Sequence, residues 1–207
     1  MTGWELAALL LAWGLAGGSP GPATLTISGT AMERGRLAGV ISGLGILSGS
    51  AFWGVASALG MGAVMLANAW VFTTLKFVGA LYLGYLALKS FRSAWHGNEA
   101  KQQTALKGGL KRVFPKSLAI HLTNPKAILS WGAIYAIALP ANASGSSVFV
   151  LFAQLISVSA FVFVGYGILF SSPWIVAGYR RARRVFETAF GVLFGAASVK
   201  ILTTQAV

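Results

Sequence analysis

The sequence predicts an all-α membrane protein with six transmembrane helices, arranged as a 3+3 inverted repeat in which helices one and four are broken. Three observations support this fold class. Only 10% of the 207 residues are charged while 56% are hydrophobic. Six apolar segments are each about 20 residues or longer, enough to cross a bilayer. The first apolar segment of each half contains a proline motif.

The composition indicates that lipid is the solvent of this chain. Soluble domains carry about 25% charged residues, and the mean hydropathy here is +0.74. Too few polar side chains exist to cover a surface that faces water. Residues 1–5 contain no Lys or Arg, so the basic start of a signal peptide is missing. We therefore interpret the first apolar stretch as a retained span.

The apolar segments divide the chain into two halves of three spans. We treat residues 1–207 as a single transmembrane domain, with a first repeat over 1–92, a basic connection over 93–116 and a second repeat over 117–207. The predicted spans are roughly 5–30, 37–66, 70–91, 117–139, 147–171 and 184–204.

The basic residues predict the orientation. Of the 16 Lys and Arg residues, all but Lys76, Lys126 and Lys200 lie in the connections after spans one, three and five. The other two connections, "ANAW" and "PANASGSS", carry no charge. The positive-inside rule places the basic connections in the cytoplasm and both termini outside, as in a multi-pass protein of a bacterial inner membrane. The net charge of +12 is then topogenic, and the expected partner is the bilayer rather than nucleic acid.

The proline motifs "SPGP" and "TNPK" interrupt spans one and four. A broken helix is tolerated in a bilayer only where it is buried in protein or lines an aqueous cavity. Paired breaks in corresponding spans indicate the central site of a transporter, because half-helix ends present partial charges to a solute. A kink that serves packing alone is the alternative. The predicted substrate-binding residues are Pro20, Gly21, Pro22, Ala23, Asn124, Pro125 and Lys126.

Two ionisable residues stand out in span four. Lys126 follows the break directly, and a lysine inside a span is costly and usually functional. It is a candidate ligand for a substrate carboxylate, with snorkelling toward the cytoplasm as the alternative. His121 lies three residues before Asn124 and is a candidate carrier of a coupling proton, with a purely structural histidine as the alternative.

Span two carries two pairs of glycines at a spacing of four residues, Gly39/Gly43 and Gly45/Gly49. Small residues at this spacing let helix backbones approach closely, so we expect tight packing at both pairs. The pair Gly191/Gly195 predicts the same for span six. Such faces are also compatible with a homodimer.

Several function classes are disfavoured. The chain has no Cys and only four acidic residues, none of which lies mid-span. A carboxylate proton relay and a divalent-cation site therefore lack ligands. The sequence contains no nucleotide-binding motif, and no span holds a set of nucleophile, base and acid. We expect neither a cofactor nor a metal, and we do not expect an enzyme.

Three segments together resemble the LysE/RhtB superfamily of amino-acid exporters. They are "SPGPATLTISGTAMERGRLAGVISGLGILSG", "LKFVGALYLGYLALKSFR" and "TNPKAILSWGAIYAIALP". The Pro-Gly-Pro and Asn-Pro-Lys motifs mark the two repeats, so the similarity spans nearly the whole chain. The resemblance implies a secondary transporter that exports amino acids or related small metabolites by alternating access.

The chain departs from the superfamily pattern at two positions. Ala23 stands where Asn or Asp often follows Pro-Gly-Pro, and His121 replaces an amide three residues before Asn-Pro-Lys. Both positions lie beside the predicted site. An exporter of a non-amino-acid solute is therefore an alternative, as are a channel and a non-transporting membrane subunit.

Overall fold

The computed structural model describes residues 2–67, 69–96, 105–140 and 143–203, and these residues form helices and no strands. A short 3₁₀ turn at Leu110–Arg112 precedes the fourth helix. The helices are α1 (Gly3–Gly18), α2 (Pro22–Ala67), α3 (Ala69–His96), α4 (Val113–Leu122), α5 (Pro125–Ala138), α6 (Gly145–Leu169) and α7 (Pro173–Thr203).

Helix α2 is interrupted at Gly35, whose φ of 80° and ψ of 179° are non-helical. A positive φ of this kind is readily adopted only by glycine, because a Cβ would clash with the backbone. Gly35 therefore divides α2 into residues 22–34 and 36–67. This division coincides with the predicted boundary between spans one and two.

The predicted breaks in spans one and four are confirmed. Residues 19–21 separate α1 from α2, and residues 123–124 separate α4 from α5. The helix after each break begins with a proline, Pro22 or Pro125. Proline suits this first position, since its missing N–H would have no helical partner there.

The predicted start of span six is wrong as a helix boundary. Helix α7 begins at Pro173, so the run "YRRARR" is helical rather than a loop. No proline follows Pro173 within α7 to stop the helix, although the arginines lower its hydropathy. Around the predicted connection 93–116, α3 continues to His96 and α4 begins at Val113. Residues 97–104 of that connection lie outside the described residues.

Two stretches of the described chain are long and apolar enough to cross a membrane by length and composition, Pro22–Gly60 and Gly145–Leu169. Helix α1 is apolar but shorter. The breaks account for α1, α4 and α5, because each broken span is divided into helices that are individually short. The predicted count of six treats each broken span as one crossing and also includes α3 and α7, which are longer but are not among these two stretches.

The helices pack chiefly across the two halves. Helix α2 packs most extensively against α6 and α4, α3 packs against α7, and α1 packs against α6. The main apolar core joins α1, α5 and α6. It centres on Trp13, Trp131, Tyr135 and Leu155, and the rings of Trp13 and Trp131 meet edge to face with centroids 4.7 Å apart.

The glycine pairs of span two pack closely, as predicted. A Cβ at Gly43 would lie 2.6 Å from the carbonyl oxygen of Phe163 in α6, and one at Gly45 would lie 2.5 Å from that of Phe114 in α4. Gly39 faces α6 in the same way, and Gly49 lies against His121 of α4. The Gly39/Gly43 pair therefore packs against α6, and the Gly45/Gly49 pair packs against α4.

The third glycine pair also packs inside the chain. A Cβ at Gly191 would lie 2.7 Å from the ring of Phe91 in α3, and one at Gly195 would contact Ala87. All three small-residue faces are thus covered by helices of the same chain.

Hydrogen bonds from arginines to backbone carbonyls link the three basic connections at one end of the molecule. Arg34 Nη1 donates to the carbonyl of Leu106 at 2.8 Å, which joins the first connection to the second. Arg184 Nε donates to the carbonyl of Ala94 at 3.1 Å, which joins α7 to the end of α3. Glu187 is 4% exposed, lies 4.0 Å from Arg183 and accepts from Ser93 at 2.9 Å.

The outer surface carries many large apolar side chains. Phe161 is 83% exposed, Trp95 81% and Trp174 80%. A soluble monomer rarely exposes such residues over extended patches. Together with the low charge content, this surface fits lipid as the surrounding solvent.

We expect Gly45→Ala to destabilise the protein, because the new methyl group would meet the backbone of α4. Overpacking of this kind costs about 1–3 kcal/mol. The measurement is the thermal unfolding midpoint of the purified protein in detergent. Gly165→Ala in α6 is the matched control, since no atom lies within 4 Å of its Cβ position. Equal midpoints for the two variants would contradict the close contact between α2 and α4.

Candidate functional site

The break after α1 is closed by hydrogen bonds within its own segment. Thr24, in the first turn of α2, accepts from the amide of Gly21 at 3.1 Å. Its hydroxyl lies 3.2 Å from the carbonyl of Ser19 and 3.3 Å from that of Gly21. Ser19 donates its own hydroxyl to the carbonyl of Ala16 at 2.8 Å. Side chains therefore satisfy most of the groups that the break frees.

The break after α4 is capped in a similar manner. Asn124 is the N-cap of α5, and its side-chain oxygen accepts from the amide of Lys126 at 3.1 Å. Asn is among the preferred residues at this position because it satisfies an amide that has no helical partner. On the other side of the break, the Thr123 hydroxyl donates to the carbonyl of Ala119 at 3.0 Å.

Each half of the protein also satisfies a carbonyl at the break of the other half. Tyr166 of α6 donates its hydroxyl to the carbonyl of Gly18, the last residue of α1, at 2.5 Å. Trp53 of α2 donates its indole N–H to the carbonyl of Leu122, the last residue of α4, at 3.2 Å. The second span of one half thus closes the helix end in the first span of the other.

Lys126 joins the two breaks directly. Its Nζ donates to the Ser19 hydroxyl in a short hydrogen bond and lies 3.4 Å from the Ser19 carbonyl. The Lys126 side chain also runs beside Gly21, where a Cβ would lie 3.7 Å from Nζ. The ammonium of Lys126 is therefore directed into the first break.

A partly open cavity of about 50 Å³ lies between the breaks. A water molecule needs about 10–15 Å³ of such space, so several waters fit. The polar part of the lining includes Ser19, Thr24, Ser50, His121, Asn124 and Lys126.

The cavity has an aromatic wall whose polar atoms are already paired. Trp13 donates its indole N–H toward Ser159 at 2.9 Å, and Trp131 donates to Ser50 at 3.0 Å. Lys126 is the only Lys, Arg, Asp or Glu among the described residues that line the cavity. The described part of the chain has no group of three or more His, Asp or Glu side chains that could hold a metal ion.

His121 is buried beside the cavity with one ring nitrogen unsatisfied. The residue is 4% exposed, and its ring meets that of Phe163 edge to face at 5.7 Å. Nδ1 has no hydrogen-bond partner within the described structure. A buried nitrogen of this kind is costly unless water or a ligand satisfies it.

The structure brings most of the predicted site residues together. Gly21, Ala23, His121, Asn124 and Lys126 all line the same cavity. The three prolines do not line it. Pro22 and Pro125 instead begin the helices that follow the breaks, and Pro20 lies in the connection between α1 and α2.

Sequence reasoning missed several residues of the site. Ser19 precedes Pro20 inside the recognised motif, but its role as the partner of Lys126 depends on contact across 107 residues. Trp13, Trp131 and Ser159 gave no signal in the sequence, since they resemble ordinary residues of an apolar helix. Tyr166 and Trp53 were missed for the same reason.

The family model for LysE type translocators matches residues 17–205, which include both breaks and most of the residues that line the cavity. The chain belongs to the LysE family. This assignment confirms the resemblance inferred from the proline motifs, and it gives translocation rather than catalysis as the family's description.

Several bacterial membrane proteins are similar over most of their length. The threonine efflux protein of Escherichia coli (strain K12) is 28% identical over 191 residues, covering 90% of this chain and 92% of that protein. An uncharacterised membrane protein of Pseudomonas aeruginosa is 29% identical, covering 89% and 88%. One of Bacillus subtilis (strain 168) is 26% identical, covering 87% and 90%. No solved structure matches the chain.

We expect Tyr166→Phe to destabilise the protein, because the Gly18 carbonyl would lose its buried donor. An unsatisfied buried group costs about 1–3 kcal/mol, while the phenyl ring can keep its stacking on Phe170, now at 4.8 Å. The measurement is again the thermal unfolding midpoint. Tyr85→Phe is the control, since Tyr85 is 57% exposed. An equal effect of the two variants would show that the bond to Gly18 contributes nothing.

Proposed function

We propose that this protein is a secondary transporter that exports amino acids or related small metabolites across the bacterial inner membrane. The observation that carries the proposal is the contact between Lys126 and Ser19. It brings the break of the second half onto the break of the first, at the edge of the cavity. A kink that serves packing alone requires no buried ammonium there.

The comparisons support export as the direction and a small metabolite as the cargo. The chain belongs to a family of translocators, and a relative of nearly equal length is named a threonine efflux protein. An identity of 28% leaves room for a different cargo. We therefore propose the class of substrate rather than threonine itself.

The packing supports an inverted repeat that works by alternating access. In an inverted repeat α1 corresponds to α4, α2 to α6 and α3 to α7. The α1–α6 contact then has the α4–α2 contact as its counterpart, and the α2–α6 and α3–α7 contacts each join two corresponding helices. The bonds of Tyr166 and Trp53 exchange in the same way. Two similar halves around one central site can rock against each other to expose that site to either side.

The distribution of charge supports the orientation. Residues of the three basic connections contact one another at one end of the bundle, and the positive-inside rule assigns that end to the cytoplasm. Both termini then lie on the side of the membrane that faces away from the cytoplasm. The cavity opens to this charged end in one state of the cycle and to the uncharged end in the other.

His121 is the candidate for proton coupling in this scheme. It lines the cavity beside Lys126, and its unpartnered Nδ1 is a place where a proton or a water could bind. No carboxylate lines the cavity among the described residues, so a carboxylate relay has no member there.

The alternatives differ in what the site would have to do. A channel requires a continuous pore, whereas the cavity is small and Lys126 bridges its two sides. A non-transporting subunit would not depend on Lys126 for activity. A non-amino-acid cargo is favoured by one observation, the presence of Ala23 and His121 in the lining.

We expect Lys126→Ala to reduce export at least tenfold. A hydrogen bond to a charged group contributes about 1.5–3 kcal/mol, and 1.4 kcal/mol corresponds to a factor of ten. Cells that express the protein are loaded with a mixture of amino acids, and the medium is analysed by mass spectrometry. Lys111→Ala is the control, since Lys111 lies exposed on the 3₁₀ turn outside the cavity.

The protein content of the membrane is measured for each variant by immunoblot. Full export by Lys126→Ala would contradict the assignment of the site. Absence of every amino acid from the medium of cells with the intact protein would contradict the cargo class. Counterflow that saturates with substrate separates a carrier from a channel.

A further inference from the structure

The cavity has a negative pole at the end of α1. The C-terminus of a helix carries a partial negative charge from carbonyls without helical partners. Tyr166 donates to the Gly18 carbonyl, while the Ser19 carbonyl lies 3.4 Å from Lys126 Nζ and 3.2 Å from the Thr24 hydroxyl. Ser19 is 3% exposed, and no carboxylate lines the cavity among the described residues. A cation in this cavity therefore has neutral oxygens of the backbone and of polar side chains as its ligands.

The positive pole is the Lys126 ammonium. One backbone amide at each break is already in use. Thr24 accepts from the amide of Gly21, and Asn124 accepts from that of Lys126. An ammonium has three donors, and the Ser19 hydroxyl and carbonyl account for two of them.

A second observation points to a ligand in this place. His121 Nδ1 is buried, lacks a partner within the described structure and belongs to a residue that lines the cavity with Ser19 and Lys126. The site therefore contains a cation seated on carbonyl and hydroxyl oxygens, together with an unsatisfied polar atom. These features fit a binding site in which the Lys126 ammonium occupies part of the space that a ligand would fill.

We propose that the Lys126 ammonium occupies, in the substrate-free protein, the position that the ammonium of a zwitterionic substrate takes on binding. The substrate ammonium binds the Ser19 carbonyl and hydroxyl, and the displaced Lys126 binds the substrate carboxylate. One internal contact is exchanged for two contacts with the ligand. The inference rests on the proposed function and specifies the substrate class as molecules with both an ammonium and a carboxylate.

The exchange predicts which fragments bind poorly. A carboxylate without an ammonium would draw Lys126 away and leave Ser19 without its cation. An amine without a carboxylate would compete with Lys126 for the same oxygens and place two like charges together in a site of low dielectric. Each fragment should therefore bind more weakly than the complete zwitterion.

The test is calorimetric titration of the full chain, purified and reconstituted in lipid nanodiscs. The twenty common L-amino acids are titrated first. The tightest binder is then compared with its deaminated and decarboxylated analogues, which for threonine are 3-hydroxybutyrate and 1-aminopropan-2-ol. We expect each analogue to bind at least tenfold more weakly than the amino acid.

The variant Lys126→Gln separates this role from a structural one. We expect the amino acid to bind at least tenfold more weakly, because its carboxylate loses the ammonium. We expect the decarboxylated amine to bind at least threefold more tightly, because it meets no competing cation. Lys126→Arg keeps the charge and should preserve the preference for the zwitterion, and Lys111→Gln should change neither affinity.

Three results would overturn the inference. They are equal binding of the amino acid and its deaminated analogue, equal weakening of amino acid and amine by Lys126→Gln, and failure of every amino acid to bind. If Lys126→Gln does not fold, the comparison of ligands on the intact protein and on Lys126→Arg decides. Export of an amino acid together with equal binding of its deaminated analogue would leave the proposed function intact.

Discussion

A backbone carbonyl or amide that loses its helical partner inside a bilayer finds no water to replace it, and the structure of this chain depends on that constraint. Two spans are broken, so carbonyls and amides are freed at the ends of α1 and α4 and at the starts of α2 and α5. Thr24 and Asn124 satisfy amides within their own segments, while Tyr166 and Trp53 reach across from other helices to satisfy carbonyls. Pro22 and Pro125 remove no helical hydrogen bond, because they occupy first helical positions.

The long-range bonds require helices that approach closely, and the glycines of span two make this approach available. Gly39 and Gly43 admit the backbone of α6, which carries Tyr166, while Gly45 and Gly49 admit α4, which ends at the second break. The packing of small residues and the satisfaction of the breaks are therefore one arrangement. Helices of the same chain cover these glycine faces.

The cavity is the functional consequence of the same constraint. Where the two breaks meet, the end of α1 offers carbonyl oxygens and the start of α5 offers a lysine, in a space lined by tryptophan and small side chains. Ala23 contributes no polar side chain to this space, and His121 contributes a nitrogen without a partner in the described structure. In the proposed function, Ser19 and Lys126 recognise the charged groups of the solute, while Ala23 and His121, the two departures from the superfamily pattern, lie beside the rest of it.

The sequence by itself determined the all-helical class, the family, the breaks and the glycine contacts. These features can be read from short segments, because apolar composition, a proline or a pair of small residues has its effect in the segment that contains it. The sequence misplaced the start of α7, since arginines lower hydropathy without ending a helix. Only the tertiary structure decided that Lys126 meets Ser19 across 107 residues and that Tyr166 and Trp53 close the broken ends. Such partners depend on the rotation and depth of each helix against its neighbours, which packing of the whole bundle fixes.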